Sequence, residues 1–346
     1  MKAMALTGLR QMREIEIPDP VLKSDRDVIL RVETIGVCGS DVHYYTTGRI
    51  GSQVVTYPFV VGHECSGTVL SVGAAVTRVR PGDRVAVEPA VSCGVCDQCR
   101  AGRPHTCRTL KFLGCPGQLD GCLCERISMP EDGCFPIRKE TSLDQAALVE
   151  PLSIGVYAVR LSGLKPGWTI GILGAGPIGL CVLAAARAAR VGRVYVTEPR
   201  ELRRAAALRM GADWAGLPGI GPDSEPVRRE PLLLDAVFEC SGDQAAIDDG
   251  VHLLKPGGRL LLIGIPEVSR VSFEIDAMRR KELVVQNVRR QNGCVQAALD
   301  LIETGGVDPA PMHTHTFDLK NTPAAFDMVA DYRDGVIKAL IRPHRA

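Results

Sequence analysis

Residues 169–189 read TIGILGAGPIGLCVLAAARAA, and the interpretation of this stretch decides the fold. Its first 18 residues, Thr169 to Ala186, carry no charge, which by length alone suggests a membrane helix. But Gly171, Gly174, Gly176, Pro177 and Gly179 are bunched near its middle, where a spanning helix would break. A strand (Ile170–Leu173), a tight turn and a helix (Pro177–Ala189) account for the pattern better. No membrane partner is expected. The turn itself is a GxGxxG, with Gly174, Gly176 and Gly179 spaced by Ala175, Pro177 and Ile178. In that context glycines permit a sharp turn, close approach of backbone to a pyrophosphate, and tight helix–sheet packing.

Working outward, Arg193–Thr197 reads as a second strand and Arg200–Met210 as a second helix. Glu198 closes that strand 19 residues beyond Gly179. An acid there accepts hydrogen bonds from the adenosine ribose hydroxyls and repels a 2′-phosphate, so NAD is expected rather than NADP. Arg200, Arg203 and Arg204 follow closely; they could hold a 2′-phosphate or simply form an exposed helix face. Leu234–Glu239 and Arg259–Ile263 are two further strands, with a helix over Gln244–Leu254 between them. Strands and helices alternating at this spacing predict a parallel, doubly wound sheet. The Pro- and Gly-rich stretch Leu217–Pro231 carries no assignment.

The first 150 residues have another texture. Val28–Glu33, Gly67–Val72 and Asp83–Val87 are short alternating runs separated by turn residues, which suggests a compact β-barrel-like domain. After about Arg290, a helix (Cys294–Ile302) leads to the apolar strand Val336–Ile341, expected to pack back on that first domain. The whole is 346 residues long, more than one core usually serves. Lys and Arg number 41 against 40 Asp and Glu, and a formal charge of +1 gives no reason to expect nucleic acid as a partner. The N-terminal residues lack an apolar h-region and cleavage site, so the expected compartment is the cytoplasm.

Thirteen cysteines, an odd number, argue for metal ligands or buried thiols rather than a disulfide framework. Cys93, Cys96, Cys99 and Cys107 form a Cys-x2-Cys-x2-Cys-x7-Cys cluster. Four thiolates on short loops suit a tetrahedral zinc ion, and leave no open position, so that metal would be structural. Cys38 and His63 are a plausible ligand pair for a second zinc, with Glu64 or Glu150 as the oxygen ligand. Three protein ligands leave the open position a catalytic zinc needs. Ser40, two residues after Cys38, would then be close enough to hydrogen-bond a substrate oxygen, and His43 could pass a proton to solvent; a turn hydroxyl and a surface imidazole are the blander readings.

At these residues the chain resembles the zinc-containing medium-chain dehydrogenase/reductase family. Gly62-His63-Glu64-x2-Gly67-x5-Gly73-x2-Val76 matches that family's zinc signature, and the cysteine cluster and GxGxxG match in order. The resemblance implies an α/β protein: a GroES-like catalytic domain (1–154), an NAD-binding Rossmann domain (155–290), and a return segment (291–346) completing the first. Within the family, Cys38–Tyr44, Gly48–Gly51, Gly82–Pro89 and Glu150–Ser153 resemble the sorbitol (polyol) dehydrogenases. That match puts Cys38, His63 and Glu64 at the catalytic zinc, Glu150 beside it, and Tyr44 and Arg289 in the substrate pocket. It implies oxidation of a secondary alcohol, polyol or sugar-like, to a ketone by a homo-tetramer or dimer. Threonine or a general alcohol is the alternative substrate, and a catalytically silent nucleotide-binding protein the alternative class.

The chain departs from the resemblance in three places. The family's aromatic-Arg-aromatic pocket segment reads Val288-Arg289-Arg290, losing both rings and adding a cation that could hold an anionic substrate. The cysteine cluster is kept, whereas some animal sorbitol dehydrogenases lack it. Pro116–Leu119 also differs.

Overall fold

The computed structural model describes residues 1–219 and 233–344. Most of the unassigned stretch Leu217–Pro231, from residue 220 on, lies outside them. The chain divides into two compact units. The first comprises Met1–Glu150, Val295–Gly305 and His313–Ala346; the second comprises Pro151–Cys294 and Gly306–Met312.

In the second unit the described residues form a six-stranded parallel sheet. Its order is Trp214–Gly216, Arg193–Thr197, Thr169–Leu173, Leu234–Glu239, Leu254–Leu262, Val284–Asn287. The chain starts in the middle, winds one way, returns and winds the other, which is the doubly wound order. Ile170, Ile172, Val194, Val196, Val237, Phe238, Leu260 and Leu261 are all buried, as strands covered on both faces require. The uncharged stretch at residues 169–186 is resolved into a strand, Thr169–Leu173, and a helix, Pro177–Ala188. Among the described residues no helix is long and apolar enough to cross a membrane.

The first unit is built on a mostly antiparallel sheet of seven strands among the described residues. Its central strand, Asp27–Gly36, buries Val28, Leu30 and Val32 on one face while Arg31 points to solvent. Glu64–Val72 pairs with one edge of it, and Lys338–Arg342 joins near its end, with Leu340 opposite Gly36 and Ile341 opposite Ile35. The residues before Pro18, given no element above, form a hairpin of Lys2–Gly8 with Gln11–Glu16. The C-terminal strand is one link of the sheet, and its middle is core: Ala339, Leu340 and Ile341 are fully buried.

Local chemistry explains the turn at Gly174. Its φ is +102°, a conformation that L side chains rarely adopt. A Cβ at Gly179 would lie 1.9 Å from the Gly174 carbonyl oxygen, so the helix can approach the turn only without a side chain there. Gly179→Ala should therefore cost about 1–3 kcal/mol, the range for overpacking a well-packed site. Chemical denaturation measures it, and an unchanged midpoint would mean that the contact relaxes freely.

Candidate active site and metal centres

The first unit's central strand ends at Gly36, and Cys38 follows as the N-cap of the helix Gly39–Thr47. His63 stands immediately before the neighbouring strand, whose first residue is Glu64. Because Glu64 is in register with Gly36, the start of one strand meets the end of the other. Three ligand atoms converge there: one each from Cys38, His63 and Glu64 lie within 4.8 Å of one another. Ser40 donates its hydroxyl to Cys38 Sγ at 3.3 Å.

Each of these side chains is held from behind. His63 Nδ1 lies 3.2 Å from Asp41 Oδ1, which also accepts the Gly62 N–H. With Nδ1 occupied, the ring's other nitrogen is left as the donor for a metal. Phe112 packs against the imidazole at a centroid distance of 5.3 Å. Both Glu64 oxygens accept from Lys338 Nζ, at 2.8 and 2.6 Å, and the same nitrogen donates to the Val37 carbonyl at 3.1 Å. Gly36 leaves the room: a Cβ there would stand 2.1 Å from Glu64 Oε2.

The site's charge suits a divalent cation. Asp41, His63, Glu64, Glu150 and Lys338 are all buried. Asp41, Glu64 and the Cys38 thiol share this interior with the Lys338 ammonium and the His63 imidazole, and a divalent cation there would take the place of the protons that His63 and Glu150 otherwise hold. Sulfur, imidazole nitrogen and carboxylate oxygen form a donor set that zinc accepts. Burial pushes the Glu150 carboxyl up to about 8, with Glu64 and Glu88 adding to the rise and His63 and Lys338 opposing it. Burial works against a charged His63, but the facing Asp41 and Cys38 outweigh it and hold its pKa well above the ordinary value.

Among the other candidates, Tyr44 is buried one helical turn beyond Ser40, with its hydroxyl 3.2 Å from Gln53 Oε1 and 3.8 Å from Cys115 Sγ. His43, on the same helix, is half-buried. The cysteine cluster closes as its spacing predicts: all four sulfurs lie within 4.8 Å of one another. Backbone N–H groups of Val95 and Cys96 pull the Cys93 thiol down to about 6, as suits a thiolate ligand.

In the second unit, Gly174, Ala175 and Gly176 form the turn before the helix that begins with Pro177, Ile178 and Gly179. Glu198 is buried at the end of the adjacent strand; its carboxylate accepts from the N–H of Ala175 and the N–H of Arg200, both at 3.0 Å. Arg203 is buried nearby, its Nη1 being 3.7 Å from where a Gly176 Cβ would sit. Arg204 is turned to the Glu198 and Pro199 carbonyls. A cavity of about 220 Å³ opens at the carboxyl ends of the later strands, lined among others by Glu239, Ile263, Gly264, Ile265, Asn287 and Val288. Arg289 follows directly and is exposed; Arg290 is half-buried, with a left-handed backbone (φ +53°).

Sequence reasoning gave no role to Asp41, Gln53, Phe112, Cys115, Lys338 or this cavity's lining. Asp41 lay inside a quoted motif. Lys338 had a visible signal, a lone charge between Val336-Ile337 and Ala339-Leu340-Ile341.

Both Glu150 and His63 bind a proton more tightly folded than unfolded, which fixes a sign. Glu150 contributes stability that is full below its ordinary 4.5 and lost as pH rises towards about 8; His63 contributes stability lost above its ordinary 6.5. The metal-free protein should lose stability between pH 5 and 8, and Glu150→Gln should flatten that slope. Urea denaturation of chelator-treated protein measures both, and equal slopes for the two proteins would refute the role given to Glu150.

Comparison with known proteins identifies the family. The family model for the alcohol dehydrogenase GroES-like domain matches residues 24–139, and that for zinc-binding dehydrogenases matches residues 177–304. The chain is 34% identical to a sorbitol dehydrogenase of Bacillus subtilis, covering 100% of this chain and 98% of that one. It is 35% identical to a probable D-xylulose reductase A of Aspergillus clavatus, covering 94% and 93%. Among solved structures, a putative zinc-binding dehydrogenase of Sinorhizobium meliloti bound to NADP superposes with a TM-score of 0.88 at 31% identity, covering 99% of both chains. An Escherichia coli alcohol dehydrogenase complexed with NADH gives 0.90 at 28% identity, again covering 99% of both. With both halves of its architecture matched and its full length aligned to a sorbitol dehydrogenase, this chain belongs to the zinc-containing medium-chain dehydrogenase/reductase family, among its polyol dehydrogenases.

Proposed function

We propose that this protein oxidises a secondary alcohol group of a polyol or sugar-like substrate to a ketone, using NAD and a zinc ion held by Cys38, His63 and Glu64. The observation that carries the proposal is the convergence of those three side chains within 4.8 Å. A second zinc at Cys93, Cys96, Cys99 and Cys107 is assigned a structural role, since four sulfurs fill its tetrahedron. The polyol assignment is supported by the sorbitol dehydrogenase and xylulose reductase relatives. NAD is supported by the buried Glu198, an acid where a 2′-phosphate would otherwise sit. The reading extends to a cytoplasmic homodimer or homotetramer, for which family resemblance is the support.

Zinc and NAD, when bound, supply a Lewis acid for the alcohol and an acceptor for its hydride. The rest is done by the chain's own residues. Asp41 fixes the His63 ring through Nδ1, and Lys338 fixes the Glu64 carboxylate. Ser40 Oγ, anchored on Cys38 Sγ, is one hydroxyl able to accept the alcohol proton while donating its own, with His43 the next group towards solvent. Glu150, with its carboxyl pushed up to about 8, exchanges a proton close to neutral pH. Tyr44 offers a phenol to substrate hydroxyls.

Cys38→Ala or His63→Ala should lower kcat by at least about 10³-fold, because several kcal/mol of Lewis-acid assistance is lost. NAD binding, followed by fluorescence titration, should persist. Turnover retained in either variant refutes the site. Cys96→Ser should lower thermal stability and remove one zinc per chain, while folded protein keeps its active-site chemistry; a purely catalytic loss contradicts the structural assignment. A panel of sorbitol, other polyols, their phosphates, threonine and simple alcohols, with NAD and then NADP, tests the substrate class through NADH absorbance. Highest kcat/KM on threonine or a simple alcohol, or with NADP, overturns the corresponding part.

A further inference from the structure

Lys338 is 2% exposed, and Glu64, its partner, 1%. Its ammonium carries three protons, and three acceptors surround it: Oε1 and Oε2 of Glu64 and the carbonyl of Val37, the residue before Cys38. The lysine enters from the C-terminal strand, 274 residues from Glu64, and that strand is locked to the same place by the Val37 N–H donating to the Ala339 carbonyl at 3.0 Å. The ammonium thus lies against one of the three groups that converge as metal donors, and against the backbone leading to another.

We propose that Lys338 is a positioning residue that weakens the site's hold on its metal by keeping part of the Glu64 donor capacity for itself. This inference rests on the reading of Cys38, His63 and Glu64 as zinc ligands. Removing the ammonium costs the metal-free and the zinc-bound state differently. Without metal, Glu64 is a buried carboxylate whose counter-ion is Lys338; remove that cation and the charge stands uncompensated. With zinc present, the metal takes over as counter-ion, and Glu64, freed from the lysine, becomes the stronger donor. A neutral side chain at position 338 therefore penalises the metal-free state more than the zinc-bound one. Zinc affinity rises while metal-free stability falls. A lysine serving only to hold the strand would give the same loss of metal-free stability with weaker zinc binding, since loosening a site weakens its metal.

The test measures zinc affinity at this site by chelator competition, and the melting temperature of the metal-free protein, for wild type, Lys338→Met, Lys338→Arg, Glu64→Gln and the double variant. Lys338→Met should hold zinc at least about tenfold tighter, or about 1.4 kcal/mol, and melt lower without metal. Lys338→Arg should stay near wild type. In the Glu64→Gln background, which has no carboxylate to release, the Met substitution should leave zinc affinity unchanged and should fold even where the single variant does not. Unchanged or weaker zinc binding in Lys338→Met overturns the inference, as does an equal tightening in both backgrounds. A wild-type protein carrying zinc solely at the four-cysteine cluster sinks the underlying reading itself, an outcome distinct from either.

Discussion

The ion pair between Glu64 and Lys338 is the constraint around which the first unit is arranged. It joins the beginning of one strand to the beginning of the last one, and both meet the end of the central strand Asp27–Gly36. Burying two charges costs several kcal/mol each, and the pairing repays that cost only with good geometry and satisfied hydrogen bonds. Here three acceptors surround the ammonium, and a glycine leaves the carboxylate its space. The C-terminal strand is therefore part of the functional site as well as of the sheet. A change that loosened it would reach the metal donors through Val37 and Glu64.

The two candidate metal centres differ in how far they depend on the fold. The four cysteines lie within fifteen residues of sequence, and backbone N–H groups of the same loop stabilise the Cys93 thiolate. Such a centre needs little from the rest of the chain. Cys38 and the adjacent pair His63 and Glu64 instead come from two separate elements and are supported by Asp41, on the helix that Cys38 caps, and by Phe112 and Lys338, from two further places. Their arrangement exists only once the sheet has formed. Metal binding at the first centre is coupled to local loop order, whereas at the second it is coupled to the balance of buried charge.

The same distinction decides what the sequence made legible. The parallel sheet could be read because its signals are local: an apolar strand, a glycine turn and a helix within twenty residues, then repetition at regular spacing. Arg193–Thr197 was assigned to the residue, and the helices starting near Pro177 and Gln244 agree at their first turns. The strand at Arg259–Ile263 begins earlier than expected, at Leu254, because Leu254 pairs with Leu234; the ladder is interrupted over Lys255–Gly258 and resumes at Arg259, as the Pro and Gly there would suggest. The hairpin at the N-terminus carries no such signal, because Ala3–Leu6 is a short continuous apolar run and Arg13, Glu14 and Glu16 crowd its second strand.

What stayed hidden in the site were partners rather than ligands. A metal ligand announces itself by residue type and spacing, but the group behind it needs only to be nearby in three dimensions. Asp41 is in reach of His63 because a helix starts at Gly39, and Phe112 because the short strand Lys111–Phe112, paired with Ala90–Val91, passes the imidazole. Neither contact has a spacing rule. Lys338 is the exception that could have been read: a strand destined for the core has no reason to bury a lysine unless an anion waits for it. Which acid that is falls to geometry. Glu64 lies across from Gly36, at the point where the lysine's own strand joins, and so it takes the pair. Glu150 is left with burial as its dominant influence and its proton retained to about 8. One cation thus leaves Glu64 as the charged, candidate donor, while burial keeps the proton on its neighbour Glu150 against the pull of that same cation.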